Sequence, residues 1–243
     1  MTAWKVRSLR LTVFLPPETF PLAKALEWEH LVGEKPENVM TRGDRESQDG
    51  PFDSGRLLLQ KQPGRIDGVL VGFPQGEQQE DPVATLGTFE EAYKAFRPIA
   101  TKILETVSPQ LRIALGTEFV QPVKTVADGY KVLVEHMKSA SFNLDGGQEL
   151  VYQINRPRPS EKIRGLLLNR LTRWNASSWQ PVTLEIAANT QVVKGQAKYG
   201  AAITTDINTD GERTAPLPSE SAVELIDELR DLTVEIRDKG DVR

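Results

Sequence analysis

Two runs of strand-forming residues, Gly55-Arg-Leu-Leu-Leu-Gln-Lys-Gln and Arg65-Ile-Asp-Gly-Val-Leu-Val-Gly-Phe, meet at Pro63-Gly64. Pro-Gly is the pair a type II turn favours, because glycine accepts the positive φ that the third turn position requires. A connection this short forces the two runs to pair antiparallel, as a hairpin. The rest of the chain then has to be fitted around an antiparallel sheet. Leu9, Leu11, Val13 and Leu15 alternate along a further strand that ends at Pro16-Pro17.

A helix is expected from about Thr19, with Pro21 in its first turn and Leu22, Leu26 and Leu31 as its apolar stripe. Residues 33–55 are polar and rich in Gly, Asp and Glu, and are expected to form a long exposed loop. A second polar loop is expected over 74–87, with its acidic centre at 77–81. Thr88-Phe-Glu-Glu91 is a capping box for a helix carrying Phe89, Tyr93, Phe96, Ala100, Ile103 and Val107, which Pro98 should kink or shorten.

Gln110-Leu-Arg-Ile-Ala-Leu then repeats the pattern of Ser8-Leu-Arg-Leu-Thr-Val, and Thr125-Val-Ala-Asp caps a helix whose Tyr130-Lys-Val-Leu-Val-Glu-His136 matches Ala23-Lys-Ala-Leu-Glu-Trp-Glu-His30 in pattern. Further strands are expected over 149–155, 165–174, 179–187 and 191–206, and a last helix behind Ser221-Ala-Val-Glu224. The expected fold class is α+β: two related strand-helix-hairpin-helix halves, 1–108 and 109–243, forming one compact unit. The sheet is largely antiparallel with helices on one face, as two packed sheets or a single continuous one.

The 243 residues carry 30 basic and 34 acidic side chains, a net −4, which argues against a surface that is basic throughout. No segment approaches the ~20 apolar residues of a membrane helix, and no apolar leader follows the first charges. With no cysteine, thiol nucleophiles, iron–sulfur clusters and cysteine zinc sites are excluded, and the expected location is the cytoplasm. Phosphate-binding glycine loops, G-x-S-x-G and H-E-x-x-H are all missing. No catalytic constellation, metal site or cofactor is expected.

Three weaker constellations remain. Glu27-Trp-Glu-His30 has the spacing of a di-iron half-site, but His136 has no glutamate three residues before it, so both histidines are assigned to helix ends. Asp206-Ile-Asn-Thr-Asp-Gly211 begins like a calcium loop, but Leu217 stands where the bidentate glutamate is needed. Arg156, Arg158, Lys162, Arg164, Arg170 and Arg173 form a basic stretch ending at Trp174 and Trp179, a candidate for phosphate or nucleic-acid binding. If 165–174 is a strand, alternation puts Arg164, Arg170 and Trp174 on one face and Arg173 and Leu171 on the other. A small-molecule pocket between the halves would be lined by Tyr152, Trp174, Trp179 and Tyr199.

The order of Leu57-Leu-Leu-Gln-Lys-Gln-Pro-Gly-Arg-Ile, Phe89-Glu-Glu-Ala-Tyr-Lys-Ala-Phe, Tyr152-Gln-Ile-Asn-Arg156 and Thr204-Thr-Asp-Ile-Asn resembles a sporadically distributed bacterial protein family of similar length. That family has no established function, so the resemblance implies a bacterial protein of variable, defence-related gene sets and carries over no site residues. A looser topological similarity is to duplicated strand-helix-strand-strand modules such as the GyrI-like ligand-binding proteins. The expected function is a non-enzymatic binding protein that acts as a subunit or partner of a bacterial macromolecular complex through a protein partner. A small-molecule sensor and a nucleic-acid-binding protein are the alternatives, and no membrane partner is expected.

Overall fold

The computed structural model describes residues 4–16, 19, 25–73, 83–144, 146–179, 182–185, 191–194, 197–217 and 221–242. The strand β1 (Lys5–Phe14) leads to a short helix, α1 (Trp28–Val32), and then to four strands: β2 (Asn38–Arg42), β3 (Arg45–Phe52), β4 (Gly55–Gln62) and β5 (Arg65–Gly72). Helix α2 (Phe89–Thr106) closes this part. The second part runs β6 (Arg112–Val123), α3 (Val126–Val134), β7 (Val151–Asn155), β8 (Arg158–Pro159) and β9 (Leu167–Trp179). It ends with β10 (Val182–Glu185), β11 (Gln191–Lys194), β12 (Lys198–Thr209) and α4 (Ser221–Lys239).

Ten strands form one sheet in the order β2-β3-β4-β5-β1-β6-β12-β9-β7, with β8 also on β9, while β10 and β11 pair separately. Every pairing is antiparallel. At the centre β1 meets β6, with Leu11 opposite Leu115 and Val13 opposite Ile113. Counted outward from that pair, the order is β5-β4-β3-β2 on one side and β12-β9-β7 on the other.

One face of this sheet is apolar because every second strand residue is. Leu9, Leu11, Leu57, Leu59, Ile66, Leu70, Leu115, Phe119, Ile203 and Trp174 all fall on it and are buried. Helices α2, α3 and α4 cover it. A Cβ at Gly68 would lie 2.8 Å from Ile103 of α2, and one at Gly129 of α3 would lie 3.1 Å from the Ala176 side chain. Each fully buried leucine, isoleucine or phenylalanine contributes about 2 kcal/mol by leaving water. Among the described residues the opposite face carries no helix.

The Pro63-Gly64 hairpin forms as the sequence predicts, with Gly64 at φ 73°. The Thr88–Glu91 capping box is closed in both directions, and Thr125 caps α3. The loop expected over 33–55 is instead the hairpin β2–β3, turning at Gly43 with φ 59°. Its strands are polar because β2 is the sheet edge and exposed throughout, so hydrophobic alternation could not announce it. Of the helix expected from about Thr19, Thr19 itself lies in a 3-10 turn, 20–24 lie outside the described residues, and the helical segment described here runs Trp28–Val32. The acidic centre at 77–81 lies outside them too. Helix α2 runs for 18 residues with Pro98 inside it, neither split nor shortened. Strand β9 continues through Asn175–Ser177 to Trp179, where two separate strands were expected. Helix α4 is described from Ser221, and 218–220 before it lie outside the described residues.

Candidate functional site

Pairing registers fix what stands on the helix-free face. One row crosses it as Val71, Ser8, Glu118, Thr204, Arg173 and Gln153; the next as Val69, Arg10, Gly116, Asp206, Leu171 and Asn155. These two rows bound a groove of about 400 Å³. Arg10 lies across the floor, because Gly116 beneath it has no side chain. A Cβ there would sit 3.3 Å from the guanidinium Nε and Nη2. Arg10 Nη2 reaches toward Asp206 at 3.5 Å, and its buried Nε has no partner. Beside it Arg7, in the β-bulge of β1, donates to Glu118 at 2.9 Å and covers the Trp179 ring at 5.8 Å.

Charge is segregated across the sheet. The helix-free face carries Lys5, Arg7 and Arg10 from β1, Arg42 and Arg45 beside the β2–β3 turn, Arg56 from β4 and Arg65 from β5. Arg112, Arg173 and Lys198 add to these from the second part. Against these ten, the carboxylates among its strand residues are Asp49, Asp67, Glu118 and Asp206. A chain of net −4 therefore shows a basic face.

Some of this charge is neutralised locally. Arg65 makes two hydrogen bonds to Asp67, at 2.7 and 2.8 Å, and Asp67 also accepts from Thr12. Arg56 is held by Glu37 and Asp49, and these bonds raise its pKa above the ordinary guanidinium value. Arg42, Arg45, Arg112, Arg173 and Lys198 pair with no carboxylate among the described residues. Aromatic rings are interleaved with the arginines. Phe14 lies under Arg65 and Arg112 at 5.5 and 4.8 Å, and Arg56 lies over Phe73, a ring that is 51% exposed.

The basic stretch foreseen in the sequence does not form one patch. Arg156 grips Asp241 with two nitrogens, and Arg158 donates to Glu235 at 2.7 Å with Arg170 beside it at 3.7 Å. All three lie on the helix-covered side, where they fasten the C-terminal end of α4 to the sheet edge. Burial is the main cause lowering the Arg170 pKa, and the neighbouring Arg158 adds to it. For Asp241, burial pushes the carboxyl up, but the Arg156 and Tyr152 hydrogen bonds outweigh it and bring it down to about 2. Lys162 and Arg164 are exposed on the loop before β9. Only Arg173 of the six stands on the helix-free face.

The four proposed pocket residues are also divided. Tyr152 and Trp174 are neighbours at 5.3 Å on the helix-covered face, where Trp174 is buried and Tyr152 donates to Asp241 at 2.6 Å. Tyr199 shares that face by register, whereas Trp179 lies on the other side against Gly200. His30 is exposed, and His136 accepts from Trp4 Nε1 at 3.3 Å. Among the described residues no group of three His, Asp or Glu is placed to hold a metal. Nor is any helix among them long and apolar enough to cross a membrane.

The groove itself was missed in the sequence. Its one signal was parity: Ser8, Arg10 and Thr12 occupy the strand positions that Leu9, Leu11 and Val13 leave. In comparisons with family models, curated proteins and solved structures, the chain matches none.

Proposed function

We propose that this is a non-catalytic binding protein that docks an anionic macromolecule on the helix-free face of its sheet. The observation that carries the reading is charge segregation: ten basic against four acidic strand side chains on one face of a chain with net charge −4. Such a field concentrates an anionic partner near the surface and speeds its encounter. The central groove, with Val69, Val71 and Leu171 at its sides, adds apolar surface to the docking area. The chain is also read as a tandem duplication of one module, 1–108 and 109–243. The matching strand order on either side of the β1–β6 pair supports this, and the groove would straddle the joint.

A sulfated polysaccharide column tests the docking face. The wild-type protein should be retained despite its net negative charge and elute well into a salt gradient. The double reversal Arg112→Glu with Arg173→Glu should elute much earlier, and Lys162→Glu with Arg164→Glu should elute nearly as the wild type does. Flow-through of the wild-type protein, or an equal effect of both pairs, would refute the reading.

One observation favours a second reading, a small-molecule sensor. The ~400 Å³ of the groove lies within the range of small-ligand sites. An acidic metabolite that raises the melting temperature, and loses that effect in Arg10→Ala, would support it.

A further inference from the structure

We infer that the helix-free face binds single-stranded nucleic acid, laid along β1 and β6 between Trp179 at one end and Phe14 at the other. This rests on the reading of that face as a polyanion-docking surface, and goes beyond it in naming the polyanion. Three features distinguish a nucleic acid from any other anion.

The first is the coupling of rings to guanidinium groups. Trp179 with Arg7, Phe14 with Arg65 and Arg112, and Phe73 with Arg56 all stand on this face, at ring-to-cation distances of 4.8 to 5.8 Å. Unstacked bases lie on aromatic rings and on guanidinium planes alike, whereas a sulfated sugar or an acidic peptide gains little from either. The second is the supply of cations without carboxylate partners among the described residues: Arg173 lines the groove, Arg112 stands opposite Phe14 and Lys198 opposite Trp179. Their free donors suit phosphate oxygens. The third is the floor. Glu118 and Asp206 are compensated by Arg7 and Arg10, so each keeps acceptor capacity for an exocyclic base amine without a net repulsive charge.

Length and shape agree with this occupant. From Arg7 to Phe14 the strand rises on the order of 23 Å at about 3.3 Å per residue. That is room for roughly four nucleotides, the lower end of single-strand site sizes. The rings stand on one face of a broad sheet, which cannot enter a duplex groove to bring them to its bases. A single strand, with its bases turned toward the protein, can meet them.

Fluorescence anisotropy with labelled oligo-dT and oligo-U of roughly 20 nucleotides, and with a duplex of equal length, tests the inference. Single strands should bind in the micromolar range at 50 mM salt and weaken about tenfold to twentyfold at 200 mM, as for three phosphate contacts. Arg112→Glu with Arg173→Glu should weaken binding at least ~10-fold, as expected when phosphate contacts are lost and reversed. Phe73→Ala, at a half-exposed ring, and Trp179→Ala should each weaken it by roughly fivefold or more. Lys162→Glu with Arg164→Glu should stay within about twofold of the wild type.

A duplex bound as tightly as the single strand would overturn the inference. So would unchanged affinity in both Phe73→Ala and Trp179→Ala, or no binding at about 100 µM in low salt. If the polysaccharide column still retains the protein while oligonucleotides fail to bind, the docking face stands and its nucleic-acid occupant falls. If neither binds, both fall.

Discussion

Arg170 and Arg173 lie three residues apart on β9 and do opposite things. Arg170 points into the helix-covered side, where it is 3% exposed and stands beside Glu235 of α4. Arg173 points to the helix-free side, where it is exposed and unpaired among the described residues. The same contrast holds for the two tryptophans of that strand, Trp174 in the core and Trp179 over Gly200. On the covered face polar groups are tied into the fold by carboxylates of α4 and the C-terminal segment. On the open face the cations outnumber the carboxylates, and Arg42, Arg45, Arg112, Arg173 and Lys198 have no carboxylate partner among the described residues. A side chain's type therefore says less about its role than the face its strand register assigns to it.

The largest expected effects separate the two tryptophans. Trp174→Ala removes a fully buried ring and should cost about 3–5 kcal/mol in urea denaturation. Trp179→Ala should cost less than about 1.5 kcal/mol, since its half-buried ring covers a sheet surface rather than filling the core. Equal losses would break the distinction between the faces.

The ion pairs should divide in the same way. Asp241 is 4% exposed and receives Arg156 and Tyr152, so Asp241→Asn should destabilise by about 2–4 kcal/mol. Asp206→Asn, on the open face with only a 3.5 Å contact to Arg10, should change stability by less than about 0.5 kcal/mol.

Acid sharpens that pair of variants. The Asp241 carboxyl is depressed from its ordinary value of 3.8 to about 2 in the folded chain. A carboxylate lowered on folding stabilises the protein above its unfolded pKa and loses that contribution as pH falls through the folded one. Stability should therefore decline between pH 3.8 and about 2 from this group, and Asp241→Asn should remove that part of the decline. Denaturation midpoints measured for both proteins across this interval check it.

A smaller effect than that of Trp174→Ala or Asp241→Asn belongs to Gly200→Ala. A Cβ there would come within 2.7 Å of the Trp179 ring, which must lift from the sheet. Stability should fall by about 1 kcal/mol, within the range for overpacking, with a shift of tryptophan emission that is absent in Gly200→Ala with Trp179→Phe.

Much of the framework was legible in the sequence, because apolar alternation and cap chemistry are local signals. Leu9, Leu11 and Val13 marked β1, Pro63-Gly64 marked its neighbouring hairpin, and Thr88 with Glu91 marked the start of α2. The β2–β3 hairpin was not legible, since an edge strand exposed on both faces has no apolar period to read. The basic stretch at 156–173 was visible but misleading. Its carboxylate partners Glu235 and Asp241 lie 77 and 85 residues beyond Arg158 and Arg156 and meet them only in three dimensions. The open face was hidden for the same reason. Arg10, Glu118, Asp206 and Arg173 come from four strands, and only the register brings them into adjacent rows.

Arginine-selective labelling, read residue by residue by mass spectrometry with and without a sulfated polyanion, tests the contrast between the faces most directly. Arg112 and Arg173 should react readily and become protected when the polyanion is added. Arg156 and Arg170 should react slowly in both conditions, and Arg164 should react readily and stay unprotected. Protection of Arg164 with no protection of Arg112 or Arg173 would contradict the assignment of the helix-free face as the binding surface.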